Sequence, residues 1–98
     1  METTNMRDLL AASDQLDDEL IAFVPEGADV DLSTPVLLLD FEEHERGVEG
    51  YRYLLEGENI KESILVWSLW REGRIPSLAD KLAAVLFYAK NDAFLPVE

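Results

Sequence analysis

Val36-Leu37-Leu38-Leu39-Asp40-Phe41 places four aliphatic residues in a row with no polar break. In an extended chain successive side chains point to opposite faces, so all four need cover. A run of this kind is buried on both faces or lies centrally in a sheet. Upstream, Leu20-Ile21-Ala22-Phe23-Val24 is a second apolar run, stopped by Pro25. The polar stretch between the two runs carries Gly27 and Pro35 and reads as a loop. Downstream, Tyr51-Arg52-Tyr53-Leu54-Leu55 alternates aromatic residues around Arg52 and is bounded by Glu56-Gly57, which gives a third strand. The stretch 42–50 is the most hydrophilic in the chain and contains Gly47 and Gly50, so an exposed loop is expected there.

Helices flank the strands. Thr4 or Asn5 can cap a first helix, with Asp8 three residues after Asn5 and Met6, Leu9 and Leu10 on one face. Asn59 with Glu62 predicts the start of a second, on which Ile60, Ile64, Leu65, Trp67 and Leu69 recur at helical spacing. Val66 and Trp70 widen its apolar surface to most of the circumference, and a helix of that kind is buried or covered by a partner. Gly73 stops it. Ser77 with Asp80 starts a third, running to about Lys90 with Leu78, Leu82, Val85 and Ala89 in one stripe. The order α-β-β-β-α-α with short links predicts an α+β domain: a three-stranded, mostly antiparallel meander packed against helices.

A length of 98 residues fits a single domain, 1–98, large enough to bury a core without a staple. An apolar fraction of 48% argues against disorder despite the charge. No apolar run is long enough to span a membrane, and residues 1–5 are not basic and show no apolar signal segment. The absence of Cys fits the cytoplasm, the compartment expected.

The net charge is −13, and it is unevenly placed. Residues 1–31 hold nine acids and one base, whereas residues 63–98 hold four of each. Such a surface repels phosphates, so neither nucleic acid nor an anionic membrane is an expected partner, while a basic protein is. No catalytic motif is present. His44 is the sole imidazole and there is no Cys, which argues against a His-based nucleophile triad. Glu42-Glu43-His44-Glu45 matches no metal-ligand spacing, and Asp29-Val30-Asp31 lacks the later ligands of a calcium loop. With Gly47, Gly50 and Gly57 unclustered, there is no phosphate loop either. A non-enzyme without cofactor or metal is expected.

Further motifs accumulate along the chain. Ala22-Phe23-Val24-Pro25 closes the first strand, Val30 and Leu32-Ser33-Thr34 follow, and Leu39-Asp40 ends the second strand. Pro76-Ser77-Leu78 opens the last helix, and Asn91-Asp92-Ala93-Phe94 follows it. On these residues the chain resembles, over about 5–95, a family of small acidic bacterial domains of unknown function that end in an Asn-Asp-Ala-Phe box. It departs at Val30, where an aromatic is commoner. Members are similar in size and charge to immunity proteins of contact-dependent growth inhibition and related polymorphic toxin systems. The box itself reads as a helix stop, with Asn91 in a left-handed conformation, Asp92 bonding local backbone, and Phe94 and Leu95 entering the core.

The expectation is therefore an immunity-type protein that binds a basic toxin domain, a nuclease in the first instance, and occludes its cationic active-site surface. The expected contact residues are Asp29, Asp31, Asp40, Glu42, Glu43, Glu45 and Glu49, taken from the acidic loops where binding residues concentrate. The alternative is a regulatory or housekeeping interaction domain docking through an aromatic face, Trp67 and Trp70, since Trp is a favoured anchor at interfaces.

Overall fold

The computed structural model describes residues 2–97, and of 44–46 the backbone. The two apolar runs form β2 (Ile21–Pro25) and β3 (Pro35–Leu39), which pair antiparallel with Ile21 opposite Leu39 and Phe23 opposite Leu37. They are the two central strands of a four-stranded antiparallel sheet. Central position explains their composition. Ala22, Val24, Val36 and Leu38 face a main core with Met6, Leu9, Leu10, Ile60 and Val85. Ile21, Phe23, Leu37 and Leu39 face a second, smaller core covered in part by Val48 and Tyr51.

Three expectations are corrected. First, the sheet has four strands. Residues Glu2–Asn5 form β1, an edge strand on β3 with Thr3 opposite Leu37, and the chain enters α1 (Met6–Ala11) only afterwards. Second, the strands are not a meander. β4 (Tyr51–Glu56) pairs with β2, not with β3, giving the order β1-β3-β2-β4. Both β3 and β4 are antiparallel to β2 and so parallel to each other, which forces residues 40–50 to return along the sheet before β4 begins. Third, that return is not a loop throughout: it contains α2 (Phe41–Arg46).

The last two elements are α3 (Gly57–Leu69) and α4 (Leu78–Asn91). Their caps differ. Ser77 and Asp80 form the expected reciprocal capping box: Asp80 N donates to Ser77 Oγ at 3.1 Å, and Ser77 N donates to Asp80 Oδ2 at 3.0 Å. Asn5 likewise caps α1, accepting from Asp8 N at 2.8 Å. Asn59, however, is not the cap of α3. The helix begins two residues earlier, directly from β4, and its first amides are satisfied by the segment that leads into β2: Gly57 N donates to Leu20 O at 2.7 Å and Glu58 N to Asp18 O at 3.4 Å. α4 stops at Asp92, which with φ 52° takes the left-handed conformation expected of Asn91. Phe94 does not enter the core. It is half-buried beside Trp70, at a centroid separation of 5.9 Å, and Tyr88, at 5.3 Å.

On β4, Tyr53 lies edge-on to Phe23 and donates its hydroxyl to Glu56. Partial burial, then the hydrogen bond to and charge of Glu56, push its phenol up to about 12 from an ordinary 10.0. The folded state thus holds this proton more tightly than the unfolded chain. The stability it contributes is fully present below pH 10.0 and is lost as pH climbs towards about 12. A spectrophotometric titration is expected to show a tyrosine ionising near 12 that Tyr53→Phe removes. Persistence of that step in the variant contradicts the assignment.

Candidate partner-binding surface

The acidic residues singled out in the sequence fall into two groups at opposite ends of the sheet. Asp29 and Asp31 lie in the turn after β2, and Glu49 lies in the turn before β4. Antiparallel pairing of Pro25 with Tyr51, with Glu26 N donating to Gly50 O at 2.9 Å, draws these turns together. Gly50 takes φ +86°, a conformation open to glycine. Asp29, Asp31 and Glu49, with neighbouring Glu26, are exposed. Asp40, Glu42 and Glu43 lie at the other end, where β3 passes into α2. The side chain of Glu45 lies outside the described residues.

Local bonding separates these acids by role. Asp31 organises its own turn, accepting from Ser33 Oγ at 2.6 Å and Ser33 N at 2.8 Å. The Ser33 hydroxyl, and after it the backbone, hold the Asp31 carboxyl below its ordinary value. Asp40 and Glu43 cap α2 reciprocally: Glu43 N donates to Asp40 Oδ1 at 2.8 Å, and Asp40 N donates to Glu43 Oε1 at 3.3 Å. Asp29, Glu42 and Glu49 are exposed, and no hydrogen bond or ion pair engages their side chains among the described residues. Of the eight bases, Lys61, Arg71, Arg74, Lys81 and Lys90 lie on α3, α4 and the link between them, whereas Arg7, Arg46 and Arg52 lie on α1, α2 and β4. Lys61 pairs with Asp18, Lys81 donates to Leu10 O at 2.9 Å, and Arg52 lines a shallow depression with Leu86, Ala89 and Lys90.

The aromatic pair is split as well. Trp67 is 4% exposed and Trp70 is 51% exposed. Trp67 continues the buried stripe of Gly57, Ile60 and Ser63 on α3, whereas Trp70 sits just past the helix end. Only Trp70 therefore presents a ring to a partner. The sequence reading missed Leu65, Leu69 and Ile75, which are 57%, 63% and 88% exposed. For Leu65 and Leu69 the signal was the nearly all-round apolar surface of α3, one side of which stays exposed among the described residues, whereas Ile75 lies in the link after α3. Among the described residues no group of three or more His, Cys, Asp or Glu is placed to hold a metal ion. Among them too, no helix is long and apolar enough to cross a membrane.

A family of domains of unknown function, DUF7716, matches residues 3–97. The chain belongs to this family. Membership covers every strand and helix described above except the first residue of β1. No curated protein and no solved structure matches the chain.

Proposed function

We propose that this DUF7716 domain is a non-catalytic binding protein that captures a basic protein partner through its acidic turns and α2. The specific reading is an immunity-type inhibitor, cytoplasmic, that covers the cationic cleft of a toxin domain, in the first instance a nuclease. The observation that supports it is the segregation of charge. Asp29, Glu42 and Glu49 are exposed without side-chain partners among the described residues, while most of the bases lie on α3, α4 and the link between them. A field of this kind steers a basic partner to the turns and α2 and away from α3 and α4. A nuclease must attract phosphate, so its cleft carries the complementary sign. Asp31, Asp40 and Glu43 hold the turn and the helix in shape, and they add charge as they do so.

A second reading has its own observation. Leu65, Leu69, Trp70 and Ile75 leave apolar surface uncovered around α3, which suits a regulatory interaction domain. Salt separates the two, because charge steering fades as ionic strength rises and apolar docking hardly changes. The test is co-expression with toxin domains encoded beside the gene, scored as rescued growth, followed by binding measured across a salt series. Rescue with salt-sensitive binding supports the inhibitor. Salt-insensitive binding that Leu69→Ala and Trp70→Ala abolish supports the apolar reading instead.

A further inference from the structure

Two arginines converge on one indole at the end of α3. The guanidinium carbon of Arg71 lies 4.6 Å from the centroid of the Trp67 ring, and that of Arg74 lies 5.0 Å from it. Arg71 is built into the fold, donating to Trp67 O and to Pro96 O, each at 3.0 Å. Arg74 is different. It is exposed, and among the described residues its side chain makes no hydrogen bond or ion pair, in a chain with 21 acids. A cation–π contact with an aromatic ring uses no N–H donor of a guanidinium, so donors that make no hydrogen bond stay available. Arg74 retains five such donors and Arg71 three. They border a cavity of about 430 Å³ whose other walls include Asp80, Leu95 and Pro96.

We infer that this cavity is a carboxylate-binding site, with Arg74 and the remaining donors of Arg71 as the anion cradle and Leu95 as the apolar wall. Charge selects the ligand class. Asp80 keeps its negative charge at neutral pH: the backbone and hydroxyl of Ser77 hydrogen-bond to it, and the nearby charges of Arg74 and Arg71 add to this, so its pKa lies below the ordinary value. Two guanidiniums and one carboxylate leave one net positive charge, which suits a monoanion better than a doubly charged phosphate ester. A carboxylate also matches the guanidinium fork geometrically. The apolar wall favours an acid carrying a hydrocarbon tail, supplied as a free organic acid or as the C-terminal carboxylate of a polypeptide. This site lies on the helical side and stands independently of the acidic-surface reading.

The test is an NMR titration of the full chain that follows the side-chain Nε–H resonances of Arg71 and Arg74. The probes are hexanoate, N-acetyl-leucine as a mimic of a polypeptide C-terminus, hexanamide, and monobutyl phosphate. Since the acidic residue Glu98 follows the cavity wall in sequence, the titration is repeated on Glu98→Gln. Expected are saturable shifts with at least one carboxylate, none with the neutral amide, and affinity at least about tenfold weaker in Arg74→Gln, which removes charge-assisted hydrogen bonds. Tighter binding of hexanoate assigns the site to free acids, and tighter binding of N-acetyl-leucine assigns it to polypeptide ends. The inference is overturned by any of three results: no saturable carboxylate binding in either chain, equal affinity in Arg74→Gln, or tighter binding of the phosphate ester.

Discussion

Leu10→Ala is expected to lower the unfolding free energy by about 2–5 kcal/mol, the cost of truncating a fully enclosed leucine. Leu10 is 0% exposed and sits where α1 meets the sheet and α4, among Met6, Val24, Val36 and Val85. These neighbours are themselves enclosed and hold their places, so the space vacated by the side chain stays largely unfilled. The Lys81 ammonium donates to the main-chain carbonyl of Leu10, an acceptor the substitution leaves in place, which isolates the packing loss. Urea unfolding checks it, with a reduced midpoint at an unchanged slope. Leu69→Ala is the control. Leu69 is 63% exposed, so a change within about 0.5 kcal/mol is expected. Equal losses at the two sites contradict the placement of the core.

Gly57→Ala is expected to be destabilising by about 1–3 kcal/mol, although alanine is the better helix former. The reason is close approach, not backbone conformation. An alanine Cβ at this position meets Asp17 O at 2.3 Å and Leu20 O at 3.2 Å. Both are main-chain atoms and cannot rotate aside. Separating the strands of chain there also lengthens the bonds from the Gly57 and Glu58 amides to Leu20 O and Asp18 O, which supply the start of α3 in place of a side-chain cap. Thermal unfolding is expected to fall by about 4–8 °C for each kcal/mol lost in a domain of this size. An unchanged or raised Tm shows that the connection yields freely and that the junction is not a tight one.

These two sites mark how far the sequence alone reaches. β2 and β3 were legible because strands central in a sheet carry apolar residues on both faces, and α4 because Ser77, Asp80 and its stripe are local signals. β1 was not, because it is a polar edge strand whose order comes from pairing with β3, more than thirty residues away. α2 did carry a local signal, Asp40 with Glu43 three residues on, but it was masked by the hydrophilic stretch and its two glycines, and the pairing of β4 with β2 is recorded in no local pattern. The start of α3 at Gly57 rests on carbonyls of residues 18 and 20, equally invisible in the segment itself. Among the candidate contact residues, charge was readable but use was not. Asp31, Asp40 and Glu43 turned out to bond their own turns and helix, and Trp67 lies in the buried stripe of α3, whereas Asp29, Glu42, Glu49 and Trp70 stayed open.

Charge-steered capture of a basic protein is the central claim, and its most direct measurement is the association rate of the partner found by co-expression. Stopped-flow mixing is run with the native chain and with Asp29→Lys, Glu42→Lys and Glu49→Lys combined. All three residues are exposed, and no bond of the fold engages their side chains among the described residues, so folding is expected to hold within about 0.5 kcal/mol per site. At low salt the triple variant is expected to associate about tenfold or more slowly, the scale that steering supplies, and the two rates are expected to converge as salt is added. An unaltered association rate at low salt contradicts the account and moves recognition to the apolar surface of Leu65, Leu69 and Trp70.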